Sequence, residues 1–543
     1  MKLADQQWKV VQPLLTSLRG GFEAWGGLLL ILLAAVGGRI YQGAPVVDPP
    51  GNSISENPVV ISYAQVVDLI DEYHVKSILW EDLTEKAINR MLHTLDPHSG
   101  FYKRSDFTEM MNEQNSRYNG IGAGVVQRNG RLYIVEVIPG MPADRAGMRY
   151  WDQIVRVNDG SVLTLNETDL ITRVRGERDE PVAITIERAA TTRQQTFRIE
   201  RNEVPYQSVR YSFLIRPGIG YINLSGGFNQ ETSNELRRAI VALQEQGMER
   251  LLLDLRRNPG GLLMQAIQVS EIFLAPGKEI VSIRGREEEF SRRSLVSENQ
   301  RPEKMPLALL IDKGTASASE IFAGALQDQG RARIFGEQSF GKGLIQTVYR
   351  LRSGTGLVLT TAKYFTPQGR SIQRSYKDVS LYDYELSSLE RSSTTRPLST
   401  PPLRRESVAT GGISPDQVVR NEEVVISLRD ACFQFARQAG AGLIPDLVEW
   451  EIRKSSADQR LPSQDYQVTG LVRRRFREFV QKHPEWQITS ALLESRWEYV
   501  DRQIRAEMIS AAQGIATAEQ YLLKSDRQVL RAIDWLTRQR IVK

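Results

Sequence analysis

LLIDKGTASASEIFAGALQDQGRARIFGEQSFGKGLIQ, residues 309–346, is the stretch around which the rest of the chain is organised. Leu309 to Ile311 reads as the end of a buried strand, Gly314-Thr315 as a turn, and Ala316 to Gln329 as a helix with apolar residues at helical spacing. Ser317 therefore falls on the first turn of that helix. A hydroxyl there lies among backbone N–H groups that have no helical partner, at the positive end of the helix dipole. Such a place suits a reaction that develops negative charge on oxygen. Ser317 and Glu320 also have the S-x-x-E spacing of a capping box, and capping alone accounts for both residues.

Exclusion narrows the chemistry. Val204 to Arg420 contains no histidine and no cysteine, since the histidines are His74, His93, His98 and His483 and the one cysteine is Cys432. A Ser-His-Asp triad or a cysteine nucleophile made within this stretch is ruled out. If Ser317 attacks anything, the remaining known base is a lysine that loses its proton when buried. Lys342 is the candidate, because it leads into Leu344, Ile345, Val348, Tyr349 and Leu351, a run that reads as a buried strand. An exposed lysine at a strand edge is the alternative. Gly336 to Lys342 also satisfies G-x-x-x-x-G-K, the opening of a phosphate-binding loop. Its next residue is Gly343 instead of Ser or Thr, and a strand follows where that loop needs a helix, which argues against nucleotide binding.

Four runs extend the pattern: LLLDLRRNPGGLL (251–263), KGTASASEIFAGALQD (313–328), FGEQSFGKGLIQT (335–347) and YFTPQGRSIQ (364–373). Together they make residues 250–375 resemble the catalytic core of the carboxy-terminal processing peptidases, Ser-Lys serine proteases that include the bacterial tail-specific proteases. The resemblance implies a nucleophile at Ser317, a general base at Lys342 and a lysine-positioning glutamine at Gln346. It implies an oxyanion hole of backbone N–H groups from Ala318 and one glycine of Gly260-Gly261, a crotonase-like αβ-sandwich core, and no metal or organic cofactor. Ser319 comes two residues too late and reads as part of the helix. The residues agree with this transfer: Leu251 to Leu255 reads as a strand, Arg256 to Gly261 as a turn and Leu262 to Leu274 as a helix. The glycine pair lets backbone approach an anionic centre, or simply makes a tight turn. Asp254 and Arg256 read as structural.

At 543 residues the chain has room for roughly three to four domains. The net charge of +5 is small for that length and gives nucleic-acid binding little support. A single cysteine excludes an internal disulfide. Near the start, Lys2, Lys9 and Arg19 precede WGGLLLILLAAVGG at 25–38, 14 residues that span about 21 Å as a helix, short of the roughly 30 Å hydrocarbon core. Extension back to Gly21 nearly reaches but includes Glu23. We expect an uncleaved membrane anchor, with a signal peptide cut near Ala35-Val36-Gly37 as the rival. Either arrangement exports the remainder.

Val46 to Asn57 reads as a linker, and Ala64 to Leu95 as helices ended by DPHSGFY at 96–102. His98 has no second ligand pair nearby and reads as structural. Residues 118–203 show short strands at 122–126, 132–137, 153–157, 182–187 and 195–199, separated by Asn129-Gly130 and Asn158-Asp159-Gly160. This pattern resembles a PDZ domain. The resemblance implies that Gly120, Ile121 and Gly122 receive a chain's terminal carboxylate, and that peptide adds as a strand against the helix near Asp169 to Val174. Trp151-Asp152 stands where the family usually has Gly-Asp, so we expect a reshaped turn.

Strands and helices alternate from 204 on, as an α/β core requires. A Ser/Thr/Pro/Arg-rich stretch interrupts it between Tyr376 and Gly411, and Gly412-Ile413-Ser-Pro415-Asp416 resembles the family's return strand. Beyond Asn421 the chain reads as helical, with Val468, Leu471, Val472, Phe476, Phe479 and Val480 in one stripe.

The expected architecture is a multidomain α/β protein: anchor and start of linker 1–45, helical region 46–117, PDZ domain 118–203, protease core 204–420 and helical C-terminal domain 421–543. The expected function is a serine endopeptidase on the periplasmic side of a bacterial inner membrane, acting on proteins with exposed apolar C-termini. A homo-oligomer or an activating partner stays open. The rivals are an inactive PDZ scaffold that binds C-termini, or processing of another acyl substrate.

Overall fold

The computed structural model describes residues 57–114, 117–189, 191, 194–286, 293–351, 353–376, 411–452 and 466–541. The expected anchor at 25–38 and the stretch 377–410 lie outside the described residues, and no described helix is long and apolar enough to cross a membrane. The chain divides into two units, Met1–Arg104 with Thr347–Leu359, and Ser105–Gln346 with Thr360–Lys543.

In the smaller unit, helices Pro58–Tyr73 and Trp80–Leu92 replace the helical stretch expected from Ala64. Asn57 accepts from Val59 N at 2.9 Å and Pro58 takes the first turn, so the start is set by capping chemistry ahead of the apolar periodicity. Region 46–117 is not purely helical: Gly100–Tyr102 is a strand pairing with residues 356–358.

The larger unit is built on a six-stranded sheet in the order 211–216, 219–223, 250–254, 307–311, 333–336 and 417–418, parallel except for its first strand. Strands 219–223 and 307–311 are buried at every position and 250–254 at all but Arg250, which is the pattern of a sheet covered on both faces. Leu251, Leu253, Leu309 and Ile311 face a core shared with helices Thr232–Glu245, Leu263–Glu271 and Ala318–Asp328. Leu252, Leu310 and Phe335 face the opposite way, onto Val529, Ala532, Ile533 and Leu536 of the last helix, Arg527–Thr537. The C-terminal residues thus complete the core of the sheet.

The PDZ-like domain enters and leaves through one antiparallel pair, Arg117–Gly120 with Asn202–Pro205. Its strands Ala123–Arg128, Arg131–Val137, Gln153–Val157, Pro181–Glu187 and Gln194–Glu200 fall within two residues of the sequence expectation. Period-two alternation splits the second strand between two cores: Leu132 and Ile134 fill the domain's own interior, whereas Tyr133 joins the apolar cluster of the C-terminal helices. Trp151 belongs to that second cluster and has φ +72, the reshaped turn expected from its sequence. Its indole lies over helix Ile426–Gly440 at Gly440, where a Cβ would meet the ring at 2.5 Å. Arg437 Nε donates to the Trp151 carbonyl at 3.0 Å, and Tyr150 Oη and Trp151 Nε1 donate to Glu507 Oε2 at 2.9 and 3.4 Å.

Candidate active site

Ser317 sits between strand Leu307–Ile311 and helix Ala318–Asp328 with φ +56 and ψ −118. A non-glycine residue held there stores about 1–3 kcal/mol of backbone strain, and a sharp strand-to-helix turn of this kind presents a side chain at the top of a sheet. The turn is fixed on both sides. Thr315 Oγ1 donates to the Leu255 carbonyl at 2.9 Å, and Ala316 N to the Asn258 carbonyl at 3.0 Å. Ser319, read as a helix residue, is buried in that helix and donates its hydroxyl to the same Asn258 carbonyl at 3.2 Å.

Glu320 is in place as the capping-box partner, with Ser317 N donating to its Oε2 at 2.8 Å, but the cap is only part of its role. The carboxyl is fully buried and also accepts from Lys342 N at 2.9 Å, Gly341 N at 2.7 Å and Ser339 Oγ at 2.5 Å. One side chain therefore ties the backbone of the candidate nucleophile to that of the candidate base. Burial pushes this carboxyl up to about 7, against four hydrogen bonds that each favour its ionised form. Tyr364 makes the same junction from the other side: its hydroxyl lies 3.1 Å from the Ser317 carbonyl oxygen and bonds the carbonyl of Lys342.

Lys342 is half-buried, and strand Leu344–Arg350 follows it, so the chain continues here as a strand and not as the helix of a phosphate-binding loop. Gln346 lies on that strand with Nε2 donating to Thr360 Oγ1 at 3.3 Å.

The glycine turn comes to the same place. Gly260 has φ +90, and a Cβ on it would approach the Ala316 carbonyl at 2.6 Å and both Ala318 N and Ser317 Cβ at 2.8 Å. No other residue fits. Gly260 N donates to Asn258 Oδ1 at 2.9 Å. The Gly260 N–H is thus taken up within the turn, and Gly261, at φ +145, is the other member of the pair.

The expected tail-binding residues lie in the PDZ-like domain. Gly120 ends a strand, Ile121 is buried, and Gly122 has φ +74 with its carbonyl accepting from Ile138 N at 2.9 Å. Asn258, Ser339 and Tyr364 are the residues of the junction that sequence reasoning missed. Each lies inside a quoted motif run, which was the available signal. Among the described residues, no group of three or more His, Cys, Asp or Glu could hold a metal ion.

Two regions of the chain match known families. Residues 218–380 match the profile of Peptidase family S41, and residues 133–188 that of the PDZ domain. A carboxy-terminal-processing protease of Bartonella bacilliformis is 37% identical over 333 residues, which cover 59% of this chain and 75% of the relative. A probable CtpA-like serine protease of Staphylococcus aureus is 31% identical over 309 residues, covering 56% of this chain and 61% of the relative. Among solved structures, the photosystem II D1 C-terminal processing protease aligns at 27% identity over 67% of this chain and 94% of its own, with a TM-score of 0.36.

Proposed function

The chain belongs to the carboxy-terminal-processing serine proteases of peptidase family S41, and from that premise we propose that it cuts peptide bonds with a Ser317–Lys342 dyad. Ser317 Oγ adds to the scissile carbonyl carbon as its proton passes to neutral Lys342 Nζ. The protonated lysine then gives that proton to the amine as the C–N bond breaks, and water, deprotonated by the same lysine, releases the acyl group. Gln346 orients the amine. Backbone N–H groups of Ala318 and of one glycine of Gly260-Gly261 hold the developing oxyanion.

The observation that carries this reading is the double tie at the junction: Glu320 and Tyr364 each bridge the backbones at Ser317 and Lys342. A scaffold needs no such arrangement, so we favour catalysis over an inactive C-terminus-binding role. In the same proposal the αβ core is crotonase-like. The loop Gly120-Ile121-Gly122 receives the carboxylate of an apolar substrate tail, and residues 25–38 anchor an exported enzyme on the periplasmic face of a bacterial inner membrane.

The test uses the full chain and an unfolded protein ending in apolar residues, beside Ser317→Ala and Lys342→Ala. Each variant is expected to lose about 10³-fold or more of the wild-type rate. Retained cleavage by Ser317→Ala would sink the dyad.

A further inference from the structure

We infer that Asp526, at the start of the last helix, is a positioning residue for catalysis, holding the glycine turn 256–261 in register with Ser317 through Arg256. The inference rests on the proposed protease chemistry and goes beyond it, because it gives the C-terminal residues a part in the reaction.

Arg256 opens the turn two residues after strand 250–254 ends, and its guanidinium is divided between two carboxylates. Nε lies 2.9 and 3.0 Å from the Asp254 oxygens and Nη2 2.6 Å from Asp254 Oδ2, while Nη1 donates to Asp526 Oδ2 at 2.6 Å and to Gln528 Oε1 at 3.0 Å. Asp254 is itself held, since Tyr221 Oη donates to its Oδ2 at 2.8 Å. The bidentate pair with Asp254 sets the plane of the guanidinium, and Asp526 and Gln528 hold its remaining nitrogen, Nη1.

Asp526 splits its own oxygens in the same way. Oδ1 caps the helix, accepting from Gln528 N at 2.9 Å and Val529 N at 3.1 Å, and Oδ2 is left for Arg256. Gln528 is fully buried and passes the connection on, its Nε2 donating to the Val419 carbonyl at 2.8 Å. The helix that carries both residues is packed on the far face of the sheet by Val529, Ile533 and Leu536. It is a rigid support for the guanidinium.

The turn needs such a support. Arg257, Gly260 and Gly261 have φ of +60, +90 and +145, so no run of helix or strand bonds can hold them. Isolated backbone bonds hold the turn, Asn258 N to the Leu255 carbonyl at 3.1 Å, Phe228 N to the Gly260 carbonyl at 2.8 Å and Ala316 N to the Asn258 carbonyl at 3.0 Å. Side chains add to them: Asp312 Oδ1 accepting from Arg257 N at 2.8 Å, Asn258 on Gly260 N, and the Arg256 fork at its start. Gly260 lies directly against Ser317 and Ala318. A small slip of the turn therefore changes the distance from a glycine N–H to the oxyanion, where rate is most sensitive to position.

Asp526→Ser in the full chain separates this role from helix capping. Serine caps as well as aspartate does but is too short and uncharged to engage Arg256. The expected result is kcat down about tenfold with KM within about twofold, and an unfolding midpoint within a few degrees of wild type. Hydrogen exchange at 256–261 should quicken. Arg256→Lys should show the same phenotype, and the double variant should be no worse than Arg256→Lys alone. If kcat stays within twofold and exchange in the turn is unchanged, the inference is overturned. Should wild type not cleave, or Ser317→Ala cleave equally, the dyad is what fails, and exchange in the turn still decides for or against the anchor.

Discussion

Glu320 and Glu507 are two carboxyl groups that burial pushes upward, one at the junction of the protease core and one at the seam between the PDZ-like domain and the C-terminal helices. Their surroundings differ in a way that assigns each a different task. At Glu320 both oxygens are saturated: Oε1 accepts from Ser339 Oγ and Gly341 N, and Oε2 from Ser317 N and Lys342 N. At Glu507 both donors, Tyr150 Oη and Trp151 Nε1, converge on Oε2. The first is a node that fixes two backbone segments at once, and the second is a polar rivet in an apolar seam.

The largest effect on hydrolysis should come from replacing the Glu320 carboxyl by an amide, with Glu507→Gln as its counterpart. In Glu320→Gln, one acceptor oxygen becomes an NH2 group facing two donors in either orientation. The Ser339 hydroxyl can rotate away, but a backbone N–H cannot, so at least one buried donor is stranded at about 1–3 kcal/mol. We expect the junction to shift and peptide hydrolysis to fall about 100-fold. Glu507→Gln keeps its carbonyl oxygen where both donors already point, and should change stability by less than about 1 kcal/mol. Unfolding midpoints and kcat for the two variants check this. Equal damage from both would remove the distinction between node and rivet.

That distinction marks how far the sequence could be read. Ser317 and Lys342 were legible because Val204 to Arg420 lacks histidine and cysteine, and because the motif runs are long. Glu320 was half legible: S-x-x-E spacing announces the cap over three residues, but the bond to Lys342 N spans 22 and follows from the tertiary fold. Tyr364 acts on a carbonyl 47 residues away and looks like an ordinary strand aromatic. The positive φ of Ser317 was hidden for the same reason, since neighbouring segments impose it and no local glycine signals it. At the seam, Trp151 declared itself as a departure from the expected glycine, whereas its partner Glu507 lies 356 residues on. Local chemistry was readable, and the long-range partner that gives it a purpose was not.

A pH series sharpens the comparison. The Glu320 carboxyl is raised from 4.5 to about 7, so between those values the folded protein holds a proton that the unfolded chain has released. Its contribution to stability is fully present below about 4.5 and is lost as pH rises through about 7. The interval corresponds to on the order of 3 kcal/mol. Glu507 acts in the same direction. Glu320→Gln should therefore flatten the fall in unfolding free energy between pH 5 and pH 8, measured by denaturant titration. An undiminished slope would mean that the four donors keep Glu320 ionised throughout.

The smallest expected effect on short-peptide hydrolysis is at the seam, and it tests whether the seam serves the chemistry at all. Trp151→Gly restores the residue that suits φ +72 and so relieves about 1 kcal/mol of strain, but it strips a buried indole from the helix cluster at a cost of about 3–5 kcal/mol. The balance is a loss of about 2 to 4 kcal/mol, confined to the contact between the PDZ-like domain and the C-terminal helices. The bonds that join Ser317 N and Lys342 N to Glu320 run between their own segments and not through Trp151, so hydrolysis of a short peptide without a tail should stay within about twofold of wild type. Cleavage of a tail-bearing protein should drop, because a loosened domain presents its tail in many orientations instead of one. Equal loss on both substrates would mean that the seam and the junction are mechanically coupled, and Glu507 would then be a second node.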